Sequence, residues 1–346
     1  MSQLSETKGK NPWNDEEKRA WLLRQTIQRS YNRDVVKRVR KLSKQKFEIS
    51  EYGSIKLDAN LPVDPDLRKD KGLKPSPKDL PLLRVRSKNW NPDNPTVLIT
   101  GGVHGYEPSG IVGAMRVLEE LSAEFEGKVN FVVYPCVSPI GYEINHRWTQ
   151  KTDDPNRHFY EGTKVEEAKL LIEDLQKLNL NFDASADLHE TNNRDIELRE
   201  ERAARDGTVP HEGEEIIPVG FYLCVTKQED VDTGRKIVDA VRDGGTQICT
   251  DEKILGYPSH GGVIAVDDLK GLCQGFAATM SKFAMTTEIY PEAIGGTVKP
   301  WDQWSDAEKK LNTLKAKPEA VKAQVDAVRR MVTMVLEKRT GQSLNL

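Results

Sequence analysis

The chain has 346 residues, enough for one large α/β domain or two modest ones. Its 51 Lys and Arg stand against 54 Asp and Glu, a net charge of −3, so the molecule as a whole carries no nucleic-acid or membrane-surface signature. No apolar run is long enough to span a bilayer, and the polar stretch Met1 to Asn14 lacks the apolar core of a secretory signal, so a cytoplasmic protein is expected. Cys136, Cys224, Cys249 and Cys273 are scattered without Cys-x-x-Cys spacing, which reads as buried reduced thiols.

In chain order, Asn14-Asp15-Glu16-Glu17 has the form of a capping box. Apolar residues then recur from Ala20 through Leu23, Ile27, Tyr31, Val35 and Val39 to Leu42 in helical steps of three and four. Between Glu17 and Lys46 there are eleven Lys or Arg and two acids. That segment reads as the solvated face of helices packed on the main domain, with a surface for nucleic acid or an acidic partner as the alternative. Five prolines from Leu61 to Pro81 mark an irregular loop. Residues 1–80 thus form a basic helical extension with a Pro-rich loop, and 81–346 the main domain.

Strands are expected at Leu82 to Arg86, Thr96 to Ile99, Val129 to Val137, Phe182 to His189, Val219 to Val225 and Phe283 to Tyr290. Helices are expected at Pro108 to Phe125, Val165 to Leu178, Asp230 to Arg242 and Leu272 to Phe283. A further helical stretch runs from Trp301 to Arg339, interrupted near Pro318. This alternation predicts a mixed, largely parallel sheet with helices on both faces.

The chemistry concentrates at strand ends. Thr96-Val97-Leu98-Ile99 leads into Thr100-Gly101-Gly102-Val103-His104-Gly105-Tyr106-Glu107-Pro108, and Pro108 suits the first turn of a helix. A His-x-x-Glu pair at a strand-to-helix turn can aim an imidazole and a carboxylate at one point. His189 closes a second strand, Asp183 to His189. Ligands in open α/β sheets gather at the carboxyl ends of strands. Two histidines and a carboxylate leave the fourth position of a tetrahedral Zn2+ open, the pattern of a catalytic rather than a structural site. Asp187 shares a face with His189 on an extended strand, where it can orient that imidazole or serve packing. Glu288, inside the apolar run Ala284 to Tyr290, is costly there unless it is paired or placed at the strand's end.

The ordered series His104-x-x-Glu107, Ser138-Pro139-Ile140-Gly141, Arg147, Asp154-Pro155-Asn156-Arg157, His189 and Glu288 resembles the zinc carboxypeptidase (funnelin) family. It is similar also to the related succinylglutamate desuccinylase/aspartoacylase group. The Ser-Pro-Ile-Gly turn and the proline at 155 depart slightly from the family pattern. The resemblance implies a three-layer α/β/α sandwich and one zinc ion on His104, Glu107 and His189. It further implies that Arg147 stabilises an oxyanion, that Asn156 and Arg157 hold a substrate carboxylate, and that Glu288 is the general base. Tyr257, with His260 close behind it, stands where the family brings a mobile donor over the substrate.

Two activities fit. The helical character after Glu288 suits a metallocarboxypeptidase acting on a peptide. The short stretch between Glu107 and His189 suits a zinc amidohydrolase acting on small N-acyl amino acids. In both cases the expected partner is a substrate with a free carboxylate, with neither nucleic acid nor membrane involved. A non-catalytic zinc protein is a third possibility, against which the presence of Glu288 argues.

Overall fold

The computed structural model describes residues 11–65 apart from 43 and 45, 77–209 apart from 193, 217–290, 315–341 and 343. Its strands are β1 Phe47–Lys56, β2 Asp79–Ser87, β3 Thr96–Gly101, β4 Asn130–Tyr134, β5 Ala184–Leu188, β6 Phe221–Val225, β7 Lys253–Ile254, β8 Tyr257–Pro258, β9 Val263–Ala265 and β10 Ala284–Ile289. Eight of them form one sheet in the order β1-β2-β4-β3-β5-β10-β6-β9, while β7 and β8 pair separately. The four central strands β4, β3, β5 and β10 are parallel, and antiparallel neighbours flank them. The inner strands are buried along their length, as the short continuous apolar runs require.

The helices are α1 Asp15–Arg24, α2 Lys37–Arg40, α3 Pro108–Arg116, α4 Pro139–Glu143, α5 Glu166–Leu178, α6 Asp195–Asp206, α7 Val231–Asp243, α8 Cys273–Ala278 and α9 Pro318–Thr340. One face of the sheet is covered by α3, α7 and α9, whose Ile111, Met115, Val238, Val328 and Val332 share a core with Val97, Ile99 and Phe131. The other face is covered by α5 and α8, where Leu171, Leu175 and Ala277 meet Leu98, Val132 and Tyr134. Odd and even residues of β3 therefore feed opposite layers, which makes the fold an α/β/α sandwich.

The six expected strands are present. Several boundaries differ for identifiable reasons. The helix expected to run to Phe283 stops at Ala278, because the chain turns back to bond Phe182 on both sides (Phe182 N–H to Met280 O 2.7 Å, Lys282 N–H to Phe182 O 3.0 Å). The expected loop through Pro81 already becomes β2 at Asp79. β1 had no sequence expectation; its alternation is broken by a bulge between Glu51 and Gly53, and its exposed edge carries charges. The expected helix across 301–314 lies outside the described residues.

The described residues before β2 do not pack as a separate unit. β1 is a strand of the main sheet, and the fully buried Trp21 of α1 meets His146 edge-on and Trp148 at a tilt. The helical stripe is interrupted: α1 ends at Arg24, Gln25 is extended, and helical turns resume at Asn32. The capping box forms as read, with Asn14 and Glu17 each accepting the other's backbone N–H. Much of the basic charge meets acids of the main body, as in Arg38 with Glu119 (2.7 Å) and Lys46 with Glu126 (3.3 Å). All four cysteines are free and buried. Among the described residues no helix is long and apolar enough to cross a membrane.

Glu167, in the first turn of α5, is 3% exposed, and burial pushes its carboxyl up to about 7. The unfolded chain ionises this group near its ordinary value, so the folded form is favoured at low pH and loses ground as pH rises toward 7. Above that, the ionised carboxylate costs on the order of 3 kcal/mol. Glu167→Gln should therefore raise the melting temperature by several degrees at pH 8 and hardly change it at pH 5. Equal shifts at both pH values in thermal melts would show that ionisation is not the cause.

Candidate metal and catalytic site

The site is assembled at the carboxyl ends of β3, β5 and β10, which are hydrogen-bonded neighbours. After β3 the chain turns through Gly102 (φ +59°), where an added Cβ would strike Ile111. Gly105 is packed harder still: a Cβ there would lie 2.0 Å from the backbone N of Tyr142 in α4. This tight turn carries His104 and Glu107 and passes directly into α3 with Pro108 in its first turn. His189 follows β5 and is fixed by its backbone, its N–H donating to Thr287 O in β10 (2.9 Å).

The two imidazoles and the carboxylate converge. Glu107 Oε1 lies 2.8 Å from His104 Nδ1 and Glu107 Oε2 lies 2.8 Å from His189 Nδ1, so one carboxylate faces both inward nitrogens. The three ligand atoms lie within 4.8 Å of one another, and all three side chains are buried. The outward nitrogens are held from behind. His104 Nε2 is 3.0 Å from Asp154 Oδ1 and His189 Nε2 is 2.9 Å from Asp187 Oδ2. Such carboxylate partners fix the tautomer that leaves the other nitrogen available to a cation. Asp187 in turn accepts from Thr100 Oγ1 (2.7 Å), and Asp154 accepts from Arg147 Nε (2.8 Å).

The charges show why a cation suits this place. Burial acts to raise the Asp154 carboxyl, but Arg147 and then His104 outweigh it and hold the group well below the usual carboxylate range. Burial likewise opposes ionisation of Glu107, and the two histidines overcome it. His189 is driven above its ordinary value because Asp187 and Glu107 outweigh the desolvation of its ring. Three buried carboxylates thus surround two imidazoles, with one guanidinium against them. A divalent cation on the Nδ1/Nδ1/carboxylate set balances that excess, so the donors present fit a zinc-type metal.

The remaining candidates line one cavity of about 440 Å³ with the triad. Glu288, at the end of β10, accepts from Thr191 Oγ1 (3.1 Å). Burial pushes its carboxyl up to about 8, with His189 opposing and Glu107 and Asp195 adding to the rise. Asn156 uses its Oδ1 to accept from Cys273 N–H (2.7 Å), which turns its amide NH2 toward His189. Arg157 is exposed at the cavity rim, its Nη1 donating to Asn156 O (2.7 Å). Gly271 (φ +77°) lets the opposite loop approach there, since a Cβ would sit 2.3 Å from Arg157 O. Tyr257 lines the cavity from β8, whereas His260 is exposed and outside the lining.

The sequence reading missed three features of this site. Asp154 opens the Asp-Pro-Asn-Arg motif yet serves as the carboxylate behind His104. Glu190, next to His189, lines the cavity and accepts from Ser109 N–H at the start of α3 (2.9 Å). α6 forms a wall through Asp195, Leu198, Arg199 and Arg202, whose spacing of three, one and three is a helical stripe in a segment that looks merely charged.

Residues 93–208 match the family profile of the succinylglutamate desuccinylase/aspartoacylase catalytic domain. No curated protein sequence matches the chain. Its fold is similar to that of a candidate metallopeptidase from Shewanella denitrificans OS217 (20% identity, 88% of each chain covered, TM-score 0.57). A candidate metallopeptidase from Shewanella amazonensis SB2B is similar as well (18% identity, 84% of this chain and 87% of that one, TM-score 0.56). So is bovine thrombin-activatable fibrinolysis inhibitor, solved with tick carboxypeptidase inhibitor (13% identity, 92% and 99%, TM-score 0.54). The profile match and the fold both agree with the family resemblance carried by the motifs.

Purified protein should hold about one zinc ion per chain through this donor set. Elemental analysis of His104→Ala and His189→Ala should find that metal lost; undiminished zinc in both variants would place the metal elsewhere.

Proposed function

We propose that this protein is a zinc-dependent metallocarboxypeptidase, cleaving the terminal amide bond of a short peptide that ends in a free carboxylate. The observation that carries the reading is the convergence of His104, Glu107, His189, Glu288, Arg147 and Arg157 on one cavity. Zinc held by the triad would supply Lewis acidity for the scissile carbonyl and lower the pKa of water.

The side chains then divide the work. Glu288 takes the proton from the attacking water and passes it to the departing amine. A carboxyl that burial pushes up to about 8 becomes a competent base near neutrality once a dication nearby favours its ionised form. Arg147, anchored on Asp154, offers positive charge where the carbonyl oxygen becomes an oxyanion. Arg157 and the NH2 of Asn156 receive the substrate carboxylate, with Tyr257 as a further donor on the wall; a guanidinium fork suits a planar carboxylate. The three ligand side chains are nearly inaccessible to solvent, and that low exposure keeps these charges effective.

A second reading, hydrolysis of small N-acyl amino acids, is favoured by the profile match over 93–208 and by a cavity of about 440 Å³, sized for a dipeptide-like molecule. Both readings use the same residues and differ only in the acyl group. Paired assays of blocked dipeptides and N-acyl amino acids would separate them.

Glu288→Gln keeps the side chain's shape and removes its basicity, so kcat should fall by about 10²–10⁴ while zinc content stays unchanged. Arg157→Ala should weaken substrates with a free terminal carboxylate and matter little for an amidated analogue. Near-normal turnover in Glu288→Gln, or equal losses on both substrates in Arg157→Ala, would overturn the assignment.

A further inference from the structure

Arg29 lies in the N-terminal stretch between α1 and α2, outside the segment that matches the family profile, and is 3% exposed. Its Nη1 donates to Gly105 O (2.9 Å) and its Nη2 donates to Tyr106 O (3.3 Å), the two carbonyls between His104 and Glu107. The same Nη2 donates to the side-chain Oδ1 of Asn145 (2.5 Å). Asn145 has a left-handed backbone (φ +53°), and Arg147 comes two residues later. The guanidinium also lies over the Tyr142 ring, 4.8 Å from its centroid, on the α4 segment against which Gly105 is wedged. The backbone of this stretch docks there as well, with the N–H groups of Gln28 and Arg29 donating to Glu143 O.

We propose that Arg29 is a positioning residue that sets the metal-ligand turn and the Arg147 segment in register with each other. This rests on the metal reading of His104, Glu107 and His189. A planar fork holding two consecutive carbonyls fixes the rotation of both peptide planes between the ligands. With those planes fixed, the imidazole and carboxylate are presented in one arrangement. A third bond to Asn145 ties in the chain that carries Arg147. Burying a guanidinium is costly unless its donors are satisfied, so this is an expensive way merely to fill space. The clamp comes from the N-terminal stretch: both carbonyls accept from Arg29, which does not line the cavity that holds the triad.

The test uses the full chain, stripped of metal and reloaded with Zn2+ or Co2+ alone. Arg29→Met keeps the apolar stem and removes the donors. Arg84→Met is the matched control: it deletes another largely buried arginine, paired with Asp174 (2.6 Å) and outside the cavity lining. In Arg29→Met, zinc affinity from chelator competition should fall about 10–100-fold and the Co2+ absorption bands should change. In Arg84→Met both should stay within about twofold of wild type, even if its melting temperature falls further. Unchanged zinc affinity and Co2+ spectrum in folded Arg29→Met overturns the proposal, as does an equal loss in Arg84→Met. If Arg29→Met does not fold, Arg29→Lys decides, because one ammonium cannot reproduce the fork. Its affinity should fall by at least about threefold, and wild-type affinity overturns the proposal. A wild-type protein that binds no metal at the triad would instead refute the reading beneath it.

Discussion

Everything at this site depends on the parallel hydrogen bonding of β3, β5 and β10. Parallel strands end on the same side, so His104, His189 and Glu288 are delivered to one edge of the sheet from positions far apart in sequence. The side-chain alternation of each strand then sorts its residues between the two layers. On β5, Ala184, Ala186 and Leu188 enter one hydrophobic layer, while Ser185 and Asp187 face the other side, where Asp187 supports the outward nitrogen of His189. A slip of one residue in this register would exchange the two sets and withdraw that carboxylate.

The second constraint is electrostatic. Glu107, Asp154 and Asp187 are nearly inaccessible, and unpaired carboxylates in such a setting cost several kcal/mol each. The structure distributes them so that each has a partner on an imidazole, a hydroxyl, a backbone N–H or a guanidinium. Glu288, by contrast, is left with its ionisation opposed, since its hydroxyl partner cannot neutralise it. The group proposed as the base is thus the one whose ionisation is opposed, while Glu107 and Asp154, against the two imidazoles, are held ionised.

Much of this was legible in the sequence, for physical reasons that also mark the limits. The triad was readable because polar residues at the ends of buried strands stand out against apolar runs, and glycines fence the first pair. Arg147 and the Asp154 to Arg157 motif were readable through the order of the motifs. Arg29 was not, because it is one of eleven cations in a short segment and nothing local distinguishes the buried one. Its burial comes from contacts with Gly105, Tyr106 and Asn145, all distant in sequence. α6 escaped for a related reason: few of its residues enter a core, so its apolar signal is weak although its charged stripe faces the cavity. β1 escaped because its bulge breaks the alternation on which strand recognition relies.

α9 bears on how the molecule comes together in time. Gln324 donates from its Nε2 to His189 O (2.7 Å) and to Ser109 Oγ (3.1 Å), while Gly113 on α3 leaves just enough room for its side chain. The main-chain oxygen of His189 therefore waits for a helix that a ribosome makes more than a hundred residues later. Contacts of such long sequence separation form late, since the loop-closure entropy must be met before they contribute. A nascent chain can fold β3, β5 and α3 and still leave the His189 carbonyl without this partner. Assembly around His189 is consequently tied to the arrival of α9, and a chain made only as far as β10 lacks this support.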